Sequence, residues 1–365
     1  HVKDADEGEV SVSLVLGELK YADDIDMPRK HEVAREKYAP LIRQLAEAGW
    51  RVNDRLATVV VGHRACVSKE NAESFTILGI QTLRSLLPDA VIYAFHGYRP
   101  DEFSVARDKN IRPVINTSDE AMTQGIASLR PALHIDTGMR RLGIPHDEYE
   151  RLPELMECCQ PSLLMSHLAS ADESGSSQSQ QQLAQFESVR DALGSRCPPS
   201  SLANTAGILL GENYQFDLVR PGIGLYGGSP DPMDPKGFQP VVTWQAQILE
   251  LQQVQPGETV GYGASFVAQH QMQLATIGVG YADGYQRVLS GRGEVAIDGE
   301  RCPVVGRVSM DLVTIDVSRL SGHRVGSWVE IMGPTISIDT LATKANTIGY
   351  EFLTRLGSRM ERTIV

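Results

Sequence analysis

The feature that most constrains this chain is a change of pattern near Pro240. From about residue 88 to 227, short apolar runs alternate with amphipathic stretches; beyond Pro240 only strand-like runs remain, separated by Gly-rich turns. Such alternation is the pattern of βα units feeding a parallel sheet or barrel. Strands are expected at Ala90–Phe95, Arg112–Asn116, Ala132–Asp136, Leu163–Leu168, Ser201–Thr205 and Val219–Tyr226. Helices are expected at Ser118–Ala127, with Asp119 and Glu120 near its positive end, and at Gln181–Leu193, where Leu183, Phe186, Val189 and Leu193 share one face. The Ser/Gln-rich piece Ser174–Gln182 is expected to be the loop entering that second helix.

The later strands are expected at Val241–Leu251, Leu274–Tyr281, Glu294–Ile297, Val304–Val317 and Trp328–Met332, followed by a helix over Asp339–Ala345 with Asp339 as its N-cap. At 365 residues the chain exceeds what a single core usually fills. The expectation is therefore an α/β domain over 1–235 and a mostly-β domain over 236–365.

A formal net charge of −12 argues against a general binder of nucleic acid, which needs a basic surface to displace counterions. The sequence has no run of about 18 apolar residues, and its N-terminus is acidic where a signal peptide would be basic, so a cytoplasmic protein without a membrane partner is expected. Cys66, Cys158, Cys159, Cys197 and Cys302 lack CxxC spacing. Neither a disulfide framework nor a metal site is expected from them.

Chemistry-bearing residues gather where the strands end. Leu133–Gly143 places Asp136, Arg140 and Arg141 just after a strand, and His167 follows another. In a barrel that end carries function. Ser201–Gly207 ends in small hydroxyl and amide side chains suited to a phosphate. Gly222, Gly224 and Gly227 formally match GxGxxG, but they run through an apolar segment after Arg220-Pro221 and do not open a helix. Close backbone approach to one phosphate is the better use for them. In the β-rich half, Tyr262 lies between two glycines, and Tyr281, Arg307, Met310, Asp311 and Tyr350 recur near turns.

In this order, from about residue 80 to the C-terminus, these segments strongly resemble the alanine racemases, a pyridoxal-phosphate family with an N-terminal (β/α)8 barrel and a C-terminal β-domain. The resemblance implies a homodimeric isomerase that interconverts L- and D-alanine and supplies D-alanine for peptidoglycan. A lysine holds the cofactor, and a tyrosine from the other subunit faces it across the substrate; Tyr262 matches that tyrosine. A free phenol, with a pKa of about 10, is a poor base at neutral pH. His167 and Arg220 match the chain of donors that corrects this, and Arg220 also matches the arginine facing the pyridine nitrogen. Thr205, Gly222, Ile223 and Tyr350 match the phosphate-binding positions. Arg141 and the backbone at Met310 match contacts to the substrate carboxylate, and Tyr281, Arg307 and Asp311 match positions lining the entrance.

The N-terminal stretch departs from the family. Its lysine signature, Val-Lys-Ala-Asp-Ala-Tyr-Gly, is missing from residues 1–80. Spacing to Leu45–Gly49 selects Lys30; Lys20 has the better local context after the strand-like Val10–Leu16, and Lys37 and Lys3 stay open. None has a tyrosine four residues later. Val52–Ser74 looks inserted, and His134 stands where the family often carries a modified lysine. Two alternatives follow: a protein that binds the cofactor without catalysis, or a racemase of another small amino acid such as serine.

Overall fold

Parallel strands covered on both faces read as near-continuous apolar runs, as Val91–Ala94 and Leu163–Met165 do here. The computed structural model describes residues 11–14, 57–61, 89–95, 103–173, 175–231, 237–357 and 359–361. The chain divides into two units between Gly222 and Ile223.

In the first unit the strands are β1 (Ser11–Leu14), β2 (Ala57–Val61), β3 (Val91–Ala94), β4 (Ile111–Ile115), β5 (Ala132–His134), β6 (Leu163–Met165), β7 (Ser200–Ser201) and β8 (Leu218–Val219). All pair parallel, each with its sequence neighbour from β1 to β7, and β8 lies beside β1. The ring closes where Asp217 N donates to Ser200 O at 3.1 Å and Arg220 N to Ala203 O at 2.9 Å. This is the expected barrel, and its parallel ladder sends every strand's C-terminal end to the same mouth.

The helices of this unit are α1 (Phe103–Asp108), α2 (Ser118–Ala121), α3 (Leu152–Cys159), α4 (Ser177–Leu193) and α5 (Thr205–Leu210). A capping box starts α2: Glu120 N donates to Thr117 Oγ1, and the Glu120 carboxylate accepts from Thr117 N. The helix stops at Ala121, short of the expected Ala127, because Gly125 takes φ +84 and Ile126–Leu129 forms a separate 3₁₀ turn. Most of the Ser/Gln-rich piece is helical, not loop, since α4 begins at Ser177. Val52–Ser74 is not wholly an insertion, because β2 lies inside it and pairs with β1 and β3.

The second unit is a closed antiparallel barrel in the order β12-β15-β14-β13-β16-β9, with a small β10–β11 hairpin beside it in sequence. Its strands are β9 (Trp244–Val254), β10 (Thr259–Val260), β11 (Phe266–Val267), β12 (Met272–Ile277), β13 (Glu294–Ile297), β14 (Glu300–Val305), β15 (Val313–Asp316) and β16 (Trp328–Met332). Along β9, Trp244, Ala246 and Ile248 are buried while Gln245, Gln247 and Leu249 are exposed, the period-two pattern of a one-sided sheet. Ile277, Val295, Ile315, Val329 and Ile331 fill the core.

Four expectations change here. Leu274–Tyr281 is strand only to Ile277, and Tyr281 begins a 3₁₀ turn. Val219–Tyr226 is strand only to Val219; after Arg220-Pro221 the chain turns, and Ile223–Tyr226 is 3₁₀ helix with Ile223 in the second core. Val304–Val317 is two strands, broken by residues 306–312, where Gly306 has φ +71. Of the last helices α6 (Ile338–Lys344) and α7 (Gly349–Arg355), α6 is capped by Ser337, whose hydroxyl accepts from Thr340 N. The Asp339 carboxylate instead accepts from Ser229 N at 3.1 Å.

Candidate active site

The mouth of the first barrel collects Asn116 after β4, Thr137 after β5, Ser166 and His167 after β6, Asn204 after β7 and Arg220 after β8. Arg220 is 3% exposed. Its Nη1 donates to Ser201 Oγ, and its Nη2 donates to Ser166 O at 2.5 Å, Leu202 O at 3.3 Å and His167 Nδ1 at 3.4 Å. All these acceptors are neutral, and among the described residues no carboxylate pairs with Arg220. Burial pulls the guanidinium down to about 10, which leaves it charged at neutral pH.

Because a guanidinium can only donate, His167 Nδ1 must be the acceptor, and the ring proton sits on Nε2. His134 takes the opposite tautomer. Asn116 Nδ2 donates to Val114 O at 3.0 Å and Phe95 O at 3.3 Å, so Asn116 Oδ1 accepts, and it does so from His134 Nδ1 at 2.8 Å. The His134 Nε2 lone pair is thus left free to accept. Burial, then the charge of Arg220, pushes His134 down to about 3; burial and then Arg220 also hold His167 well below its ordinary value. Both rings are neutral at physiological pH.

Gln182, buried on α4, ties these loops together. Its Nε2 donates to His167 O at 2.9 Å and Thr137 Oγ1 at 3.2 Å, while Oε1 accepts from Ala169 N at 2.8 Å. Thr137 Oγ1 in turn lies 2.7 Å from Ser166 Oγ. Asp136 staples the following turn, accepting from Gly138 N and Arg140 N, and Arg141 beyond it is exposed. Thr205, the first residue of α5, accepts from Gly222 N at 2.7 Å, so two of the expected phosphate positions are adjacent. Lys30, Lys20, Lys37 and Lys3 lie outside the described residues.

In the second unit Tyr262 is 69% exposed on a 3₁₀ turn between Gly261 (φ +76) and Gly263 (φ +68). The Arg307 guanidinium lies against Gly263, where a Cβ would come within 3.0 Å of its Nη1. Tyr281 is joined to the loop carrying Met310 and Asp311: Tyr281 N donates to Ser309 O, and Ala282 N to Met310 O, each at 3.0 Å. Tyr350, on α7, and Met310 are exposed, while the Ile223 side chain is buried.

A family model for the alanine racemase N-terminal domain matches residues 43–230, and one for the alanine racemase C-terminal domain matches 241–364. The chain belongs to the alanine racemase family. An alanine racemase of Methylobacterium nodulans is 43% identical over 289 residues, 76% of this chain and 78% of that one. Another from Rhodospirillum rubrum is 40% identical over 297 residues, 78% of each. Among solved structures, alanine racemase from Bartonella henselae with covalently bound pyridoxal phosphate superposes with TM-score 0.77 at 30% identity, covering 98% of this chain and 93% of that one. The biosynthetic alanine racemase of Pseudomonas aeruginosa gives 0.73 at 27% identity over 92% and 96%.

Against this alanine racemase background, sequence reasoning missed Asn116 and Gln182 as site residues. Gln182, and not Leu183, is the buried member of the α4 face with Phe186, Val189 and Leu193. A polar Gln182 in register with Phe186, Val189 and Leu193 was the available signal.

Proposed function

We propose that this chain is a pyridoxal-phosphate-dependent racemase that interconverts L- and D-alanine with two opposed bases. The observation that carries the reading is Arg220: a buried cation that, among the described residues, bonds only to neutral acceptors, beside an imidazole fixed as an Nε2–H donor. That donor set fits the cofactor, because a guanidinium offers an N–H to a pyridine nitrogen and never supplies a proton to it. Thr205 and Gly222 would hold the phosphate together with Ile223 and Tyr350, and Lys30 would carry the covalent link, with Lys20, Lys37 and Lys3 as the alternatives. Lys20 is the first lysine after β1.

Bound pyridoxal phosphate supplies an electron sink that acidifies the Cα hydrogen of an attached amino acid. This chain's part is to place a base on each face. The lysine removes or returns the proton on one face, and the partner subunit's Tyr262 does so on the other, with His167 Nε2–H available to stabilise a phenolate oxygen. Arg141 and the Met310 backbone orient the substrate carboxylate, and Tyr281 and Asp311 line its approach. The enzyme would be a cytoplasmic homodimer supplying D-alanine for peptidoglycan.

The test is transfer of deuterium from heavy water to Cα of L-alanine by the cofactor-loaded protein. Exchange together with appearance of D-alanine supports the reading, exchange on serine alone points to the other substrate, and no exchange at any pH rejects it. Borohydride reduction and peptide mapping then name the lysine, or reveal cofactor held without a covalent bond.

A further inference from the structure

The loop of residues 306–312 carries Met310 and Asp311, and a residue from the end of the chain reaches it. Arg359 Nη1 lies 2.7 Å from Asp311 Oδ1. The same guanidinium donates from Nε and Nη2 to Asp283 Oδ1 at 3.0 and 2.8 Å. Asp283 is nearly buried, its side chain 12% exposed, and its second oxygen accepts from Gly280 N at 2.9 Å. Gly280 in turn abuts the loop so closely that a Cβ there would stand 2.2 Å from Met310 O. The path from Arg359 through Asp283 and Gly280 returns to the loop that Arg359 also grips directly.

Charge gives this arrangement a consequence. Asp283 and Asp311 share one cation, so the cluster carries one net negative charge with Arg359 and two without it. An amino-acid substrate must bring its carboxylate to the Met310 backbone, one residue from Asp311. We propose that Arg359 is a positioning residue for substrate access: it holds the Ser309–Asp311 loop against residues 280–282 and neutralises Asp311 where the substrate carboxylate passes. The inference rests on the racemase reading for its substrate but not for its geometry.

The experiment uses the full-length, cofactor-loaded protein as R359Q and R359K. R359Q should raise KM for L-alanine about fivefold with kcat within about twofold, the pattern of lost ground-state approach. Because the effect is electrostatic, about 0.5 M salt should shrink that difference to less than about twofold. R359K keeps a positive charge and should hold KM within about twofold of the parent. Hydrogen exchange supplies the readout independent of activity: the Tyr281 and Ala282 amides should exchange at least about fivefold faster in R359Q, while β12 is unchanged. An R359Q protein with parental KM, a KM rise indifferent to salt, or unchanged exchange at residues 281–282 overturns the proposal. If the parent itself does not racemise alanine, the racemase reading has failed, and the exchange measurement still decides whether Arg359 holds the loop. If R359Q does not fold, R359K decides: a KM raised beyond about twofold overturns the charge role.

Discussion

Arg220 Nη2 stands 3.4 Å from His167 Nδ1, and that one relationship fixes where the imidazole proton resides. A residue that can only donate forces its neighbour to accept, so His167 is locked as a donor at Nε2 with no carboxylate among the described residues taking part. The arrangement differs from the acid-oriented histidine of many hydrolases. Here the orienting charge is positive; burial first, and then that charge, keep the ring neutral.

Replacing Arg220 with Gln should therefore disturb two things at once. On the proposed reading the pyridine nitrogen loses its partner, and the amide can present oxygen as well as nitrogen to His167, freeing the tautomer. We expect kcat/KM for alanine to fall by about 100-fold or more, in the range of lost general acid–base assistance. Cα exchange kinetics measure the loss, and retention of more than about a third of parental kcat/KM would remove Arg220 from the mechanism.

Buried neutral histidines also set a pH dependence of stability. His134 has an ordinary value of 6.5 and a folded value of about 3. Between these limits the unfolded chain binds a proton that the folded chain refuses, so stability is fully present above about pH 6.5 and falls as acid is added. The expected slope is up to about 1.4 kcal/mol per pH unit from this residue, with His167 acting in the same direction. Urea midpoints between pH 7 and 4 check it; stability that holds level across that interval would contradict the burial of His134.

Asn116 supplies the partner that keeps His134 in place. Asn116→Leu takes the acceptor from His134 Nδ1–H and one donor each from Val114 O and Phe95 O. We expect a loss of about 2–4 kcal/mol in unfolding free energy. Asn116→Asp should do something different: a carboxylate beside Nδ1 favours the imidazolium and raises the His134 value. Proton NMR titration of the ring would show the rise, and a resonance still silent above pH 4 would argue against the contact.

Much of the barrel was legible because its strands are short apolar runs at regular spacing, and Glu294–Ile297 and Trp328–Met332 coincide with their expected bounds. The errors share a cause. Propensity extends a strand as long as residues stay apolar, so it carried Val219 on to Tyr226 and bridged residues 306–312, where Pro221 and the positive φ of Gly306 break the ladder. Asp339 was mistaken for a cap because capping chemistry does not say which nearby amide a carboxylate will find, and Ser229 lies far away in sequence. Arg220 and His167 could be named from their motif, but their 3.4 Å contact, the His134 tautomer that Asn116 sets and the tie from Gln182 to the His167 carbonyl could not, because a motif records no contacts.

Gly280 offers the most local test of the second unit's architecture. Its φ of −155 is extended backbone that any residue can adopt, so conformational preference does not demand glycine there. Space does: a methyl group would meet Met310 O at 2.2 Å, Met310 C at 2.4 Å and Asp311 N at 2.5 Å, all backbone atoms that cannot rotate aside. Gly280→Ala must push residues 309–311 away and stretch the hydrogen bonds from Tyr281 N and Ala282 N. Overpacking of this kind costs about 1–3 kcal/mol, and if the Met310 backbone orients the substrate carboxylate as proposed, KM for alanine should rise more than kcat falls. Gly278→Ala is the control, since its nearest neighbour is the flexible, half-exposed Leu249 side chain at 3.3 Å. Equal effects of the two substitutions on stability and KM would show that the close approach at Met310 does not govern the loop.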